Sequence, residues 1–214
     1  MTPNSTPPTF GNGVLPLDLD QASQAGATLG RAFHTDPMQT ALFPDEARRA
    51  LVLPLVFTAF IRGAAASDGH ITTTPDQSAV AVWSPPGTEI RPLAIVRSYG
   101  LDLPRIMIRT PLSSLPVTFS FFGTLARRRR VHVPEPHWYL ATLGVDPSRQ
   151  ARGLGTLLLQ EGLSRADSQQ SRAYLETETE GNVAVYQGFG FRVLEEITIK
   201  RLQLPMWLMA REPR

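Results

Sequence analysis

The sequence of 214 residues contains no cysteine. That absence excludes a thiol nucleophile, a thiolate metal site and any disulfide. Lysine is almost missing too: Lys200 is the only one, and the other basic side chains are arginines. With no lysine behind a glycine loop, a phosphate site of the form GxxxxGK[ST] is excluded. The four histidines, His34, His70, His132 and His137, have no HxxxH or HExxH spacing, so no metal site is expected. The longest apolar run, Ala50 to Ile61, is 12 residues and contains Pro54. A membrane helix needs about 20. The formal net charge is only +2 at pH 7, too small to argue for nucleic acid. The first dozen residues lack the positive start and apolar stretch of a signal peptide. The expectation is a soluble cytoplasmic protein without a nucleic-acid or membrane partner.

What is present describes a globular protein. Hydrophobic residues make up 42% and charged residues 19%, enough apolar mass to bury a core. Residues 1–13, rich in Pro, Ser and Thr, read as a disordered lead-in, and residues 14–214 as a single domain. "VLPLDL" (14–19) reads as an edge strand because of Pro16. Asp20 is placed to cap a helix through about Phe33, which "HTDP" closes. "PDEARRALVLPLVFTAFIRG" starts as a helix that Pro54 is expected to kink or split. "GHITTT" and "SAVAVWS", separated by "PDQ", read as a hairpin. Residues 88–136 carry fewer signals, with a helix expected towards "RRRR" (127–130). Those arginines suit the negative end of a helix better than a nucleic-acid face, which spreads or interleaves its basic residues. Phe119, Phe121 and Phe122 read as core.

From residue 137 the pattern sharpens. "HWYLATLGV" (137–145) is a central strand, apolar on both faces. "DPSRQARGLG" is a turn, and "TLLLQEGLSRADSQQSR" a helix. "AYLETET" (173–179) is a second buried strand, parallel to the first if the crossover is an ordinary βαβ unit. "NVAVYQGFG" is a short helix with Asn182 as its cap, and "FRVLEEITI" and "PMWLMARE" are closing strands.

The turn "RQARGLGT" (149–156) invites two further nucleotide readings. A dinucleotide site would use Gly153 and Gly155, with Glu176 as its distant acid, but Leu158 stands where a third glycine is required. The other reading is a pyrophosphate cradle. A helix start presents unpaired N–H groups and partial positive charge, and glycines let phosphate oxygens approach.

The downstream sequence bears on that choice. "HWYLATLGVDPSRQARGLG" followed by "LETETEGNVAVYQGFGF" resembles the GNAT superfamily of N-acetyltransferases. "LGRAFHTDP", "AVAVWSPP" and the closing "WLMARE" are similar, in order, to its puromycin N-acetyltransferase-like branch. The resemblance implies an α/β GNAT fold: a mixed, mostly antiparallel sheet with one splayed parallel pair of strands and helices on both faces. It implies acetyl-CoA as donor, held by the backbone of Leu143 and Val145 and by the turn Gln150, Ala151, Arg152, Gly153, Leu154, Gly155 and Thr156, with Asn182 touching CoA as well. It implies Tyr186 as the proton donor to the leaving thiolate.

Many relatives place a glutamate in the middle of the strand before the turn. Here Tyr139 stands there, a poor base at neutral pH. Glu176 on the neighbouring strand is the nearest replacement, and Glu178 shares its alternation. A missing strand base favours an acceptor whose amine is weakly basic. The expected activity is direct transfer to a small-molecule primary amine. An acyl-CoA sensor without transfer, or a protein acetyltransferase using 88–130 as a peptide groove, are the alternatives. His34, Asp36 and Trp83 are the signals on the acceptor side, each equally readable as structural. The protein is expected to be a monomer or a homodimer.

Overall fold

A computed structural model describes residues 13–110 and 114–214; the expected lead-in, except for Gly13, lies outside them. The chain forms one seven-stranded sheet in the order β1-β2-β3-β4-β5-β7-β6. Its strands are β1 (Leu15–Pro16), β2 (His70–Thr73), β3 (Ala79–Ser84), β4 (Trp138–Val145), β5 (Ala173–Thr177), β6 (Arg192–Ile199) and β7 (Leu204–Arg211). Every neighbouring pair is antiparallel except β4 and β5. This is the mixed α/β architecture expected from the sequence, with the predicted edge strand, hairpin and parallel crossover in place.

Strand alternation sorts the side chains to two faces. Trp83, Trp138, Leu140, Leu175 and Met209 pack on one face against α7 (Leu154–Ser168) and, beside it, α8 (Glu180–Gly188). Val80 and Val82 take the other face, against α1 (Ala22–Ala32) and α3 (Glu46–Ala65). Further along that second face, Tyr174, Met206 and Leu208 meet Phe121 and Leu125 of α6 (Ser114–His132). No helix among the described residues is long and apolar enough to cross a membrane.

Local chemistry corrects several boundaries. Asp20 caps nothing: Asp18 accepts from its N–H at 3.0 Å in a 3-10 turn that leads into α1. A short helix, α2 (Pro37–Leu42), follows "HTD", with Pro at its first position and the Asp36 carboxylate accepting from Gln39 N–H at 3.1 Å. Pro54 does not split α3, which runs from Glu46 to Ala65. Gly30 of α1 lies against that proline, so close that a Cβ there would stand 2.9 Å from Pro54 Cγ. Phe121 is core as expected, but Phe119 and Phe122 are exposed. The described residues between 92 and 132 include α4 (Pro92–Ser98), α5 (Leu103–Arg109) and α6, a helical excursion between β3 and β4.

Gly162 of α7 faces the fully buried Trp83, and a Cβ there would fall inside the indole's van der Waals surface. Gly162→Ala is therefore expected to destabilise the fold by about 1–3 kcal/mol, as overpacking does. Urea unfolding monitored by tryptophan fluorescence checks this; an unchanged midpoint contradicts it.

Candidate functional site

The site begins where two parallel strands part. β4 and β5 pair through Trp138–Ala173, Tyr139–Tyr174 and Leu140–Leu175, and no further. On the other edge of β4 the register slips: Val82 pairs with Thr142 but Trp83 with Leu140, leaving Ala141 as an extra residue. Such a bulge bends its strand and increases its twist. Leu143 and Val145 stay paired with Ala81 and Ala79 of β3, while their β5-side edge has no strand partner. A cleft with unpaired backbone groups on one wall results.

The glycine turn lies at the far end of β4. Pro147–Arg149 form a 3-10 turn under an Asp146 cap, and Gln150 Nε2 donates to Val145 O at 3.3 Å. Ala151 and Gly153 both take positive φ, 59° and 77°. Gly153 is the residue before α7, in left-handed conformation, and no side chain caps that helix. A Cβ at Gly153 would meet nothing within 4 Å, whereas one at Gly155 would touch Val145 Cγ2 at 3.4 Å. The two glycines thus serve different ends. Gly155 lets the helix start lie against β4; Gly153 supplies the backbone turn and leaves the approach open. First-turn N–H groups without a cap are suited to an anion.

By strand alternation Glu176 lies on the face of β5 that carries Tyr174, and Glu178 follows the strand's last residue, Thr177, on that side. Burial raises the Glu176 carboxyl, opposed by the Arg129 charge and the phenols of Tyr139 and Tyr174. Arg129, from the last turn of α6, stands 4.0 Å over the Tyr139 ring. Glu176 Oε1 and the Tyr174 hydroxyl are closed off from solvent. Burial, and then the charge of Asp36, lifts Glu178 to about 8. Asp36 is raised as well, by burial, against the α2 amides that hold its carboxylate.

Tyr186 projects from α8 and packs edge-on to Phe191, with ring centroids 5.8 Å apart. Burial, and then the Glu178 charge, push its phenol to about 12. Tyr186 and Glu178 therefore sense one another, and Glu178 lies electrostatically between Tyr186 and Asp36. Asn182 is not the cap of α8: Thr179 accepts from its N–H at 3.3 Å, and Asn182 sits exposed in the first turn. The helix starts two residues earlier than "NVAVY" suggests, so the capping position falls on the threonine at the end of "LETET".

Two residues of this site carried little signal. Arg129 is indistinguishable in sequence from its arginine neighbours; only the fold turns it onto Tyr139, while Arg128 pairs with Glu195 at 3.0 Å and Arg130 with Glu89 at 3.5 Å. Asp36 stands before Pro37, a helix-start signature, but nothing local connects it with β5. Trp83 is core, and His34 lies 3.6 Å from Glu46, outside the acid group.

Residues 119–191, from α6 through the strand parting to the end of α8, match the sequence profile described as the Acetyltransferase (GNAT) family. Among solved structures, one described as histone acetyltransferase HPA2 and related acetyltransferase from Corynebacterium glutamicum is 25% identical, with a TM-score of 0.64 over 94% of this chain and 96% of that one. Arylalkylamine N-acetyltransferase 2 from Aedes aegypti shares the fold at 13% identity, with a TM-score of 0.62 over 94% of this chain and 98% of that one. The parted strand pair and the glycine turn both lie within the matched segment, and the chain has the mixed α/β GNAT fold of these acetyltransferases.

Proposed function

We propose that residues 14–214 act as one N-acetyltransferase domain that moves an acetyl group from acetyl-CoA directly to the primary amine of a small molecule. The observation that carries this reading is the cleft between β4 and β5, which has an uncapped, glycine-led helix start at one end and a cluster of carboxyls with Tyr186 at the other. The donor end suits an anion and an extended amide arm; the acid end suits a cation. The likeness of the sequence to the puromycin N-acetyltransferase-like branch supports a small acceptor.

In this reading Leu143 and Val145 offer backbone groups to the pantetheine arm. The amides from Gln150 to Thr156 receive the pyrophosphate, with Gly153 keeping the approach clear, and Asn182 lies exposed beside the same cleft. When bound, acetyl-CoA supplies an activated carbonyl and a thiolate leaving group with an aqueous pKa of about 8.5. Tyr186 holds its proton at any working pH, because burial places it near 12. It is therefore always available as a hydrogen-bond donor to sulfur as negative charge develops there. The thiolate forms in the same dry slot, which raises its proton affinity as well.

Tyr186→Phe tests the donor. Its kcat for CoA thiol release on a panel of small amines is expected to fall on the order of 10²-fold, while acetyl-CoA affinity stays within about twofold. Unchanged turnover removes the role.

A weakly basic acceptor amine also fits this site. Tyr139 stands where a strand glutamate would act and burial drives its phenol further up, so an amine already partly neutral needs the least help.

A further inference from the structure

We propose that Arg211 is a positioning residue for Tyr186: it bolts the helix that carries the tyrosine to the helix that opens the donor cradle. The inference rests on the acetyltransfer reading and on Tyr186 as hydrogen-bond donor to sulfur within it.

α8 needs such a bolt. It is nine residues long and none of them is fully buried, so no core face of its own fixes where it lies. Val183 and Tyr186 touch the core only from its margin. α7 is different, since it buries Leu158, Leu159, Gly162, Leu163 and Ala166. Any freedom in α8 is therefore freedom of the Tyr186 hydroxyl, while the glycine turn at the start of α7 stays put.

Arg211 is the last residue of β7, is 5% exposed, and meets both helices at their C-terminal ends. Its Nη1 and Nη2 donate to Asp167 Oδ1 and Oδ2, in the last turn of α7, at 2.7 and 2.9 Å. Its Nε donates at 2.9 Å to the carbonyl of Phe189, the residue that ends α8. The tyrosine is one step further. Tyr186 O accepts from the N–H of Phe189 at 3.0 Å and from that of Phe191 at 3.1 Å. Gly190 between them takes a φ of 92°, which turns the chain so that the Phe191 ring lies against Tyr186. Asp167 is fixed in its turn. It also accepts from Arg214 N–H at 2.9 Å, and its bonds to Arg211 hold its carboxyl below the usual carboxylate range. The mechanical path thus runs from α7 through Asp167 and Arg211 to the 189–191 turn and Tyr186.

The division of the guanidinium is what separates this from an ordinary ion pair. Two donors form a fork on a carboxylate, and the third goes to the backbone of a different element. A lysine ammonium cannot reproduce that planar arrangement, so it can keep the charge beside Asp167 and lose the hold on Phe189. Displacing a reacting group by about 1 Å is enough to cost on the order of 10²-fold in rate.

The test is a double-variant cycle on kcat for thiol release from acetyl-CoA with an α-amine acceptor. It uses wild type, Arg211→Lys, Tyr186→Phe and the two together, with acetyl-CoA binding measured by calorimetry on each. Arg211→Lys is expected to lower kcat on the order of 10-fold with donor affinity within about twofold. In the Tyr186→Phe background the same substitution is expected to change kcat by less than about twofold, because the group it positions is already gone. Hydrogen exchange followed by mass spectrometry should show residues 180–191 of Arg211→Lys exchanging on the order of 10-fold faster, with α7 unchanged. If Arg211→Lys does not fold, Asp167→Asn carries the same cycle; it keeps an oxygen for the fork without the charge, and a fall of about threefold is expected. An unchanged kcat in a folded variant overturns the positioning role. So does an equal fall in both backgrounds, which is the mark of a residue that serves the fold alone. Tyr186→Phe turning over like wild type overturns the donor and the inference with it, and a wild type that binds acetyl-CoA and turns over no amine overturns the acetyltransfer reading as well.

Discussion

At pH 7 a small α-amine acceptor is expected to turn over on the order of 10²-fold faster than an ε-amine of similar bulk. The reason is proton affinity. An α-amine with pKa about 7.7–8.0 is neutral in roughly one molecule in ten, and an ε-amine with pKa about 10.4 in roughly one in 2,500. An enzyme cancels that handicap only with a base strong enough to take the proton. Tyr139 occupies the strand position where a glutamate would act, and burial drives its phenol further up, away from neutral pH. Measuring kcat/KM for an amino-acid amide and for an Nα-acetyl-lysine amide at pH 7, 8.5 and 10 checks the point. The preference should narrow as pH rises and free ε-amine accumulates. Equal or faster ε-amine turnover at pH 7 contradicts it.

Legibility in the sequence followed the range of the forces involved. β4, the glycine turn, α7 and β5 were readable because each is fixed by neighbours in sequence: a two-faced apolar run, glycines at a helix start, a crossover with one allowed hand. Pro54 misled because the reading priced the proline against its own helix alone. In the structure Gly30 of another helix makes room for its ring. The cap of α8 slipped by three residues, and Asp18 rather than Asp20 caps the 3-10 turn that leads into α1, for a related reason. Asp18 and Asp20, or Thr179 and Asn182, are chemically adequate caps a few residues apart, and tertiary packing chooses between them. The helical excursion over 92–132 had few signals, since its apolar residues are divided between buried Ile106 and Phe121 and exposed Ile108 and Phe119.

The site divides along the same line. Its donor half, Leu143 to Thr156, is one continuous segment whose geometry its own residues dictate. Its acid half joins Asp36, Arg129, Glu176, Glu178 and Tyr186 from four parts of the chain. Alternation along β5 placed Glu176 and Glu178 on one face, but it was silent on which would acquire Arg129. That single long-range contact separates their chemistry, because a buried carboxyl with a cation beside it and one beside another carboxyl titrate in different ranges.

The same asymmetry predicts that Glu178→Gln stabilises the fold in alkali. Folding lifts the Glu178 carboxyl from 4.5 to about 8, so the folded chain binds a proton there that the unfolded chain has already lost. Its contribution to stability is complete below 4.5 and is lost as pH rises through 8. The full difference amounts to about 5 kcal/mol; because part of it reflects the charge of Asp36 rather than burial, a gain on the order of 3 kcal/mol at pH 9.5 is expected for the variant. Near pH 4.5 the two proteins should be equally stable within about 1 kcal/mol. Comparing variant with wild type at each pH cancels the opposite trend of Asp146 and Asp167, whose hydrogen-bonded carboxylates are held low. Urea unfolding at pH 5, 7 and 9.5 gives the answer. A stability difference independent of pH would mean that Glu178 is not held in the protonated state by the fold. A difference that grows with pH would show a carboxyl held protonated by the fold, at a cost to stability once it must ionise.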